Sequence, residues 1–284
     1  MMKGLNYVQD TATRQETRVD GGDISVIQDS GRRLLYQYSG IPNEEMDDHI
    51  ETMRTMALKV CPYPCIKMYR FMDISIATLP IYPEILDRTK NGDKFLDLGC
   101  CLGQEIRQLV FDGTPSKNTY GSDLYGGYFP VGYKLFKDQD RLQTTFIAAD
   151  IFDNTSKLTE LEGKINIIYT GAFFHLFGLE EQKKIAARVV QLLAPRPGSM
   201  VCGQQSGNEK PGEYGRKGDT SGRKSFRHNP QSWKELWDHV GEITGSKWDV
   251  EADLDSPEFA LQTPEGQKQT EKGPQGLRFV VKRL

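Results

Sequence analysis

Apolar residues between positions 43 and 60 recur three or four positions apart, which is the spacing of one helix face. Residues 43–60 are therefore predicted to form an amphipathic helix that ends at the proline-containing stretch CPYPC. The stretch IKMYRFMDISIATL, residues 66–79, predicts a second helix, and EILDRTK follows after two prolines interrupt the pattern. The residues before about position 30 are polar and are predicted to be loosely held. The chain up to residue 90 is thus predicted to be mainly helical.

From residue 91 onward, apolar runs alternate with stretches of helical periodicity. Predicted strands lie in KFLDLGC, TYGSDLY, TTFIAADIFD, INIIYTGAFFHLF and SMVCGQQ. Predicted helices lie in GQEIRQLVFD, GGYFPVGYKLFKD, TSKLTELEG, LEEQKKIAARVVQLLA and PQSWKELWDHVGEIT. Two later strands, KWDVEADL and LRFVVKRL, are separated by a polar loop. Alternating strands and helices imply parallel pairing through right-handed crossovers, so the predicted fold class is α/β with a doubly wound, mostly parallel, seven-stranded sheet.

This change of pattern predicts two parts, a helical segment over residues 1–90 and a sheet-containing domain over residues 91–284. Within the second part, residues 206–227 are rich in Gly, Lys and Ser and are predicted to form a long mobile loop. A structureless loop of this length inside a compact domain usually has a function or is disordered.

Composition narrows the function classes. The 284 residues carry a formal charge of -3, with 37% hydrophobic and 26% charged residues, as in an ordinary globular protein. Charges of both signs are interspersed, so we expect no nucleic-acid partner and no membrane partner. Five cysteines without zinc-ligand spacing predict neither a disulfide framework nor a metal site. The start lacks the apolar core of a signal peptide, so a cytoplasmic location is expected.

The stretch KFLDLGCCLGQEI places a loop of small residues between a strand and a helix. The dinucleotide motif G-x-G-x-x-G fails, because Cys101 and Gln104 stand where glycines are needed. The phosphate-loop motif fails as well, since no Lys-Ser or Lys-Thr pair follows. The pattern D-x-G-x-G-x-G fits Asp97, Gly99 and Gly103, with Cys101 in place of the central glycine. This resembles the first motif of class I methyltransferases that use S-adenosylmethionine.

That resemblance implies a cofactor site along successive strand ends. Asp97 is expected to face the cofactor's ammonium group, while Gly99 and Gly103 let the backbone approach and take unusual φ angles. The small thiol of Cys101 is expected to fit at the cofactor loop, although it demands a permitted φ and leaves less room. Asp123 ends the second strand and is expected to accept hydrogen bonds from both ribose hydroxyls, with Leu124 beside it. After the third strand, Asp150 suits the adenine amine, with Ile151 and Phe152 beside the ring. Each aspartate alone is equally a loop or cap residue, but three at neighbouring strand ends favour the cofactor site.

Longer stretches resemble one family more closely. They are YPCIKMYRFMDISIATLPIYPEIL, FLDLGCCLGQEIRQL, YGSDL, FFHLF, APRPGSMVCGQQSG and FRHNPQSWKELWDHVGEITGSKWDV, within residues 36–254. Together they are similar to fungal secondary-metabolite methyltransferases that modify meroterpenoid and polyketide intermediates. The resemblance implies a Rossmann-like fold with an N-terminal helical cap, a small-molecule acceptor and O-methylation, in some members of a carboxylate to its methyl ester.

Two histidines are candidates for the acceptor side. His175 follows the fourth strand and is the predicted catalytic residue, although its aromatic neighbours also fit a structural role. His228 is the predicted substrate-binding residue, with bracing of the next helix as its alternative, and Arg227 is more typical of a surface charge. The helical segment is predicted to cover the acceptor pocket with flexible apolar side chains, although such stripes are more often core. These are Met46, Met53, Met56, Met68, Phe71 and Met72.

Competing functions remain at this point. Because the central glycine is missing, the chain is also compatible with a binding module or regulator that keeps the fold without methyl transfer. A cyclase that uses the charge of the sulfonium is a further alternative. Nicotinamide chemistry is disfavoured by the loop spacing. The sequence leaves the acceptor and the oligomeric state open, with a homodimer as one expectation.

Overall fold

The computed structural model describes residues 22–215, 224–254 and 275–284. The helices are α1 Asp29–Gln37, α2 Asn43–Val60, α3 Pro64–Lys67, α4 Tyr82–Lys90, α5 Gln104–Phe111, α6 Tyr128–Phe136, α7 Leu179–Leu192 and α8 Pro230–Thr244. The strands are β1 Phe95–Leu98, β2 Thr119–Asp123, β3 Thr145–Ala148, β4 Ile167–Tyr169, β5 Met200–Gly207, β6 Gly212–Gly215, β7 Lys224–Arg227, β8 Trp248–Leu254 and β9 Gln275–Arg283. Short 3₁₀ turns span Ile24–Val26, Arg70–Met72, Ile76–Thr78, Ser116–Asn118, Lys157–Leu161 and Phe174–Leu176.

Seven strands of the described chain form one sheet in the order β3-β2-β1-β4-β5-β9-β8. The first five are parallel, while β9 runs antiparallel to both β5 and β8. Every residue of β1 is buried, as expected for a central strand covered on both faces. The predicted seven-stranded, mostly parallel, doubly wound sheet is confirmed.

Apolar clusters cover both faces of this sheet. On one face, α7 and α8 pack on β1, β4 and β5 and bury the indole rings of Trp233 and Trp237. On the other face, α4 and α5 pack on the same strands through Ile85, Ile106 and Leu109. The sheet is thereby fixed from both sides, so the carboxyl ends of its parallel strands are held at one rigid edge.

The N-terminal helices form a third cluster with α6 and the loop after β1. The predicted helix over residues 43–60 is confirmed as α2, with Met46, Ile50, Met53 and Ala57 buried. These side chains pack together with Leu102 of the loop and with the buried face of α6. The segment before residue 90 is therefore held against the domain by a shared apolar core rather than by a few surface contacts.

The prediction of a second helix over residues 66–79 is wrong. This stretch contains the single turn α3 and the 3₁₀ turns Arg70–Met72 and Ile76–Thr78. Tyr69 takes a left-handed backbone with φ of 57°, which interrupts any helix. The backbone N–H groups of Ser75 and Ile76 donate to the side chain of Glu105 instead of to helical carbonyls. A distant tertiary contact thus replaces local helical hydrogen bonding.

Two further local predictions need correction. Residues 155–163 form the 3₁₀ turn Lys157–Leu161 rather than an α-helix. The stretch predicted as a mobile loop, residues 206–227, contains the end of β5 and the antiparallel pair β6–β7. Residues 216–223 of that loop, the polar loop over residues 255–274 and the polar start over residues 1–21 lie outside the described residues.

The described helices include none that combines the length and the hydropathy of a membrane span.

Candidate cofactor and active site

Two carboxylates lie at neighbouring strand tips. In the parallel register, Asp97 of β1 is opposite Gly121 of β2, and Asp123 of β2 is opposite Ala148 of β3. Asp150 follows two residues after the end of β3. The carboxyl ends of these three strands meet at one edge of the sheet, where ligands bind in open α/β folds.

The loop after β1 has the unusual φ angles that are expected at its two glycines, and Cys101 between them is left-handed as well. Gly99 and Gly103 have φ angles of 85° and 76°, and Cys101 between them has a φ of 50°. All three are left-handed, a conformation that glycine adopts without strain and other residues rarely adopt. The N–H groups of Gly99 and Cys100 donate to the carbonyl of Ser122 at 2.8 and 3.0 Å, which fixes the loop against β2.

Protein side chains approach both glycines. A Cβ atom added to Gly99 would lie 2.7 Å from the ring of Phe173, and one added to Gly103 would lie 2.6 Å from Nη1 of Arg107. Contacts this short are repulsive, so both positions require glycine for packing as well as for φ. From the sequence, these small residues are expected only to make room for a ligand. The structure adds a second requirement, which is room for the side chains of Phe173 and Arg107.

Cys101 replaces the central glycine while keeping a left-handed backbone. Its N–H donates to Oδ2 of Asp123 at 2.9 Å. Its thiol hydrogen-bonds with that of Cys65 in α3, and this contact with burial holds the pKa of Cys101 well above its usual value. The side chain therefore packs into the apolar cluster of the N-terminal helices. A small thiol gives the loop an anchor to this segment that glycine lacks.

Asp97 is a buried carboxyl group in which one oxygen has no hydrogen-bond partner. Its side chain is 2% exposed, and Oδ2 is unpartnered within the described residues. Burial raises the pKa of Asp97 well above its usual value, and the nearby carboxylates of Glu105 and Asp123 raise it further. An unpartnered buried carboxylate is unfavourable by itself, so this position favours a cationic ligand group.

Asp123 orders the loops on either side of it. Its Oδ2 accepts from the N–H of Cys101, and its Oδ1 accepts from the N–H of Tyr125 at 3.0 Å. Burial raises its pKa, although these backbone donors act in the opposite direction. Each carboxylate oxygen accepts more than one hydrogen bond, so Asp123 retains capacity for a diol. Leu124, the next residue, is half-buried beside it.

The turn after β3 presents a polar group and an aromatic ring. Oδ1 of Asp150 accepts from the N–H of Phe152 at 2.9 Å, which forms a local turn. Ile151 is buried, whereas Phe152 is 39% exposed and meets the edge of Phe177 with ring centroids 5.6 Å apart. Phe177 in turn contacts Phe173 at 5.4 Å. These three rings connect the turn after β3 with the glycine loop.

His175 lies in the turn Phe174–Leu176, after β4. Its Nδ1 accepts from the N–H of Ser206 at 3.4 Å, and its backbone N–H donates to Oε1 of Gln205 at 3.1 Å. Gln205 is buried, and its Nε2 has no partner within the described residues. The contact from Ser206 orients the half-buried ring, and the contact to Gln205 fixes the backbone of His175, at the edge where the strands end.

His228 is held inside the protein. It is 1% exposed, with Nδ1 bonded to Oγ of Ser232 at 2.9 Å and Nε2 bonded to Oε1 of Gln182 at 3.1 Å. Burial lowers its pKa to about 4. With both ring nitrogens engaged, this geometry favours the alternative weighed from the sequence, in which His228 braces α8. Arg227 packs over the ring of Tyr214.

Comparison with known proteins adds an independent observation. Residues 22–72 match the meroterpenoid methyltransferase N-terminal domain family. The chain is 44% identical over 231 residues to O-methyltransferase phiE of a fungal species, covering 80% of this chain and 76% of that protein. It is 43% identical to asnovolin E/chermesin D methyltransferase nvfJ of Aspergillus novofumigatus, covering 79% and 81%. The chain belongs to this family of fungal methyltransferases.

A solved structure shares the fold of this methyltransferase. A methyltransferase of Burkholderia thailandensis that acts on 1,6-didemethyltoxoflavin superposes with a TM-score of 0.52 at 13% identity. The match covers 86% of this chain and 92% of that one. The Rossmann-like class I methyltransferase fold predicted from the glycine loop is confirmed.

The residues of this methyltransferase fit S-adenosylmethionine, the cofactor of the class. The described part of the pocket has carboxylates at the tips of β1 and β2 and an unpartnered oxygen on Asp97. The cofactor carries an ammonium and a sulfonium, which are the charges that such a pocket lacks. A vicinal diol and an adenine suit Asp123 and the turn of Asp150. The roles of these residues remain predictions, to which the geometry adds support.

Four polar residues near the strand ends escaped the sequence reasoning: Ser75, Glu105, Tyr169 and Gln205. Glu105 stands in the first turn of α5, where an acidic residue is commonly explained by the helix dipole. Ser75 lies in a stretch predicted as helix. No periodicity places residue 75 beside residue 105, so only tertiary structure identifies this contact.

Proposed function

We propose that this methyltransferase transfers a methyl group from S-adenosylmethionine to an oxygen atom of a small secondary metabolite. The proposed acceptor class is a meroterpenoid or polyketide intermediate, and the proposed acceptor atom is a carboxylate oxygen. The observation that carries the proposal is the buried carboxyl of Asp97 beside Asp123 at the strand edge, one oxygen of which has no partner among the described residues, in a chain 44% identical to an O-methyltransferase. The fit of the acceptor class rests on the N-terminal domain family, which is named for meroterpenoids.

Methyl transfer requires an aligned acceptor and a site from which water is excluded. S-adenosylmethionine supplies an already activated methyl group on a sulfonium when it is bound. The residues of this chain hold the acceptor in line with that group and exclude water. A carboxylate is ionised at neutral pH and needs no general base, whereas a phenol with a pKa near 10 benefits from one. His175 is the proposed residue for orienting the acceptor, or for accepting its proton if the acceptor is a phenol.

The N-terminal helical segment is proposed to cover the acceptor. Its packing against α6 and against Cys101 places it beside the glycine loop. Most of the methionines singled out in the sequence, Met46, Met53 and Met72, are core residues. Met56 and Met68 are half-buried, so these two are the candidates for an apolar lining.

The test of the function uses S-adenosylmethionine with a deuterium-labelled methyl group. The protein is incubated with fungal extract fractions and with matched carboxylic acid and phenol terpenoids, and products are identified by mass spectrometry. We expect labelled methyl esters in amounts equal to the S-adenosylhomocysteine formed. Hydrolysis of the product by mild base distinguishes an ester from a phenol ether. Cofactor consumption without a labelled acceptor would contradict the proposal.

The cofactor assignment is tested with Asp123→Asn. The loss of a charge-assisted acceptor for the ribose should weaken S-adenosylmethionine binding about tenfold or more, measured by calorimetry. Asp153→Asn is the matched control, because Asp153 is an exposed loop carboxylate that bonds only to the nearby Thr155 among the described contacts. Equal affinity of the Asp123 variant and the wild type would remove Asp123 from the site.

The alternative of a fold that binds the cofactor without transfer loses its main support. That alternative depended on the missing central glycine, yet Cys101 adopts the left-handed backbone that the motif requires. The proposal also extends to a cytoplasmic location and a homodimer. Light scattering after size exclusion tests the assembly, and imaging of a tagged chain in the producing fungus tests the location.

A further inference from the structure

Glu105 joins the cofactor loop to the segment before β1. Its side chain is 3% exposed. Oε1 accepts from the N–H of Ser75 at 2.9 Å and from its hydroxyl at 2.5 Å, and Oε2 accepts from the N–H of Ile76 at 3.0 Å. A buried carboxylate with three donors is strongly fixed in place. Glu105 is two residues after Gly103, in the first turn of α5, so its side chain lies directly behind the glycine loop.

The contacts continue from Glu105 to the strand tips. The hydroxyl of Ser75 also bonds with the hydroxyl of Tyr169 at 2.6 Å. Tyr169 ends β4 and lies opposite Asp97 in the parallel register of β1 and β4. Glu105 is near enough to Asp97 for their charges to interact appreciably. The two buried carboxyl groups therefore belong to one polar cluster at the edge where the cofactor is proposed to bind.

This cluster holds an excess of negative groups. The titratable groups that face Glu105 are Asp73, Tyr82, Tyr169 and Asp97. The nearby cation, Arg70, pairs with Asp73 at 2.8 Å, and neither Glu105 nor Asp97 forms an ion pair within the described residues. Burial raises the pKa of Glu105 to about 7, and the Asp73 charge adds to the rise against the opposing hydrogen bonds. At neutral pH its carboxyl group is thus close to half protonated.

We propose that Glu105 is the positioning residue by which the site prefers the cationic cofactor over its neutral thioether product. Ionised Glu105 adds a negative charge behind Asp97, and through Ser75 it fixes the turn that closes this side of the pocket. The sulfonium form carries one positive charge more than the thioether. The negative charge of Glu105 therefore stabilises the sulfonium form selectively. The inference rests on the proposed use of S-adenosylmethionine, and it assigns a role that the motif alone does not.

A change in the protonation of Glu105 balances the positive charge that the cofactor brings into the site. When the cationic cofactor enters, the fraction of Glu105 that is protonated releases its proton to the buffer. Binding of the cofactor must then strengthen as the pH rises through about 7, since the bound state holds fewer protons. Loss of the sulfonium after methyl transfer removes this preference, so Glu105 takes its proton back while the thioether is bound.

The experiment compares S-adenosylmethionine with S-adenosylhomocysteine by calorimetry between pH 6 and 8, in buffers of different ionisation enthalpy. The wild type is expected to release more protons with the former ligand. In Glu105→Gln we expect this excess to fall, with cofactor affinity weakened about tenfold and thioether affinity by less than about threefold. The difference between the two proteins cancels any titration of the ligands themselves.

Matched variants separate the effect of the Glu105 charge from the effect of its hydrogen bonds. Asp112→Asn removes a carboxylate next to the C-terminal end of α5, bonded to Tyr82 and Gln108, and is expected to behave as the wild type. Glu105→Asp keeps the charge and should retain the preference for the sulfonium. Ser75→Ala removes the hydroxyl contacts with Glu105 and Tyr169 but keeps the backbone donors to Glu105, and it should retain the preference too.

Three outcomes overturn the inference: equal losses for both ligands in Glu105→Gln, unchanged proton release in that variant, or the same effect in Asp112→Asn. If Glu105→Gln does not fold, the wild type decides alone, because equal proton release with the two ligands refutes the role. A wild type that binds neither ligand refutes the proposed function instead.

Discussion

Cys101 shows how one residue satisfies two demands at once. Its position requires a left-handed φ of 50°, which costs a non-glycine residue about 1 kcal/mol or more. The thiol contact with Cys65 and the surrounding apolar cluster offset that cost. The motif pattern treats residue 101 only as a departure from glycine, whereas packing explains why a small side chain is kept.

Substitutions at Cys101 test this balance. Cys101→Gly removes the backbone strain but also the anchor, so stability should change by less than about 1 kcal/mol. Cys101→Val should destabilise by about 2 kcal/mol or more, because a β-branched residue is poorly tolerated at positive φ. Urea unfolding with matched m-values measures both. A valine variant as stable as the wild type would contradict the assigned backbone.

The lowered pKa of His228 predicts that the folded protein loses stability at acid pH. Its folded pKa of about 4 lies below its usual value near 6.5, so the neutral ring contributes stability that is fully present above pH 6.5. That contribution is lost as the pH falls through 4, because the unfolded chain binds the proton first, and it amounts to roughly 3 kcal/mol.

The measurement is urea unfolding at pH 7.5 and pH 5 for wild type and His228→Gln. We expect the wild type to lose more stability on acidification than the variant, which retains an amide for Gln182 and Ser232. Parallel loss in both proteins would show that folding does not lower the pKa of His228.

At the scale of elements, a buried ion pair links the glycine loop with the end of α6. Arg107 in α5 bonds to Asp138 at 2.8 and 3.1 Å, and both side chains are fully buried. Nη1 of Arg107 also donates to the carbonyls of Leu102 and Gly103, while Asp138 accepts from the hydroxyl of Tyr38. Three elements that are distant in sequence therefore depend on one charge pair.

Breaking this pair should be costly. Arg107→Met leaves the buried Asp138 without its cationic partner and is expected to destabilise by about 3–5 kcal/mol in urea unfolding. Arg32→Met is the control, since its pair with Asp47 is partly exposed and should contribute less than about 1 kcal/mol. Comparable losses in the two variants would contradict the role of the buried pair.

Elements differ in how far local sequence specifies them. The amphipathic helix over residues 43–60 was predicted correctly, because its own periodicity defines a buried face. The stretch over residues 66–79 was not, because Glu105 captures the backbone donors of Ser75 and Ile76 and local propensity gives way. The hairpin β6–β7 was missed because its Gly-rich and Lys-rich sequence lacks the alternation of a half-buried strand.

For the whole molecule, the cofactor should be a source of stability. Ligand that binds only the folded state adds about 2.7 kcal/mol at 100 times its Kd, which raises the Tm of a chain of this size by several degrees. Thermal unfolding with increasing S-adenosylmethionine measures the effect. Asp123→Asn, with binding weakened about tenfold, should show about half of that shift or less at the same concentrations, and a full shift in that variant would conflict with its assigned contact.

The sequence by itself determined the fold class, the strand-loop-helix unit and the acidic residues at the strand ends. These features depend on local periodicity and on motif spacing, which the chain carries in short, contiguous stretches. Only the tertiary structure decided the surroundings of each charge. It buried His228, left an oxygen of Asp97 without a partner in the described part of the chain and brought Ser75 against Glu105. Burial and charge proximity arise from residues far apart in the chain, so no local pattern encodes them.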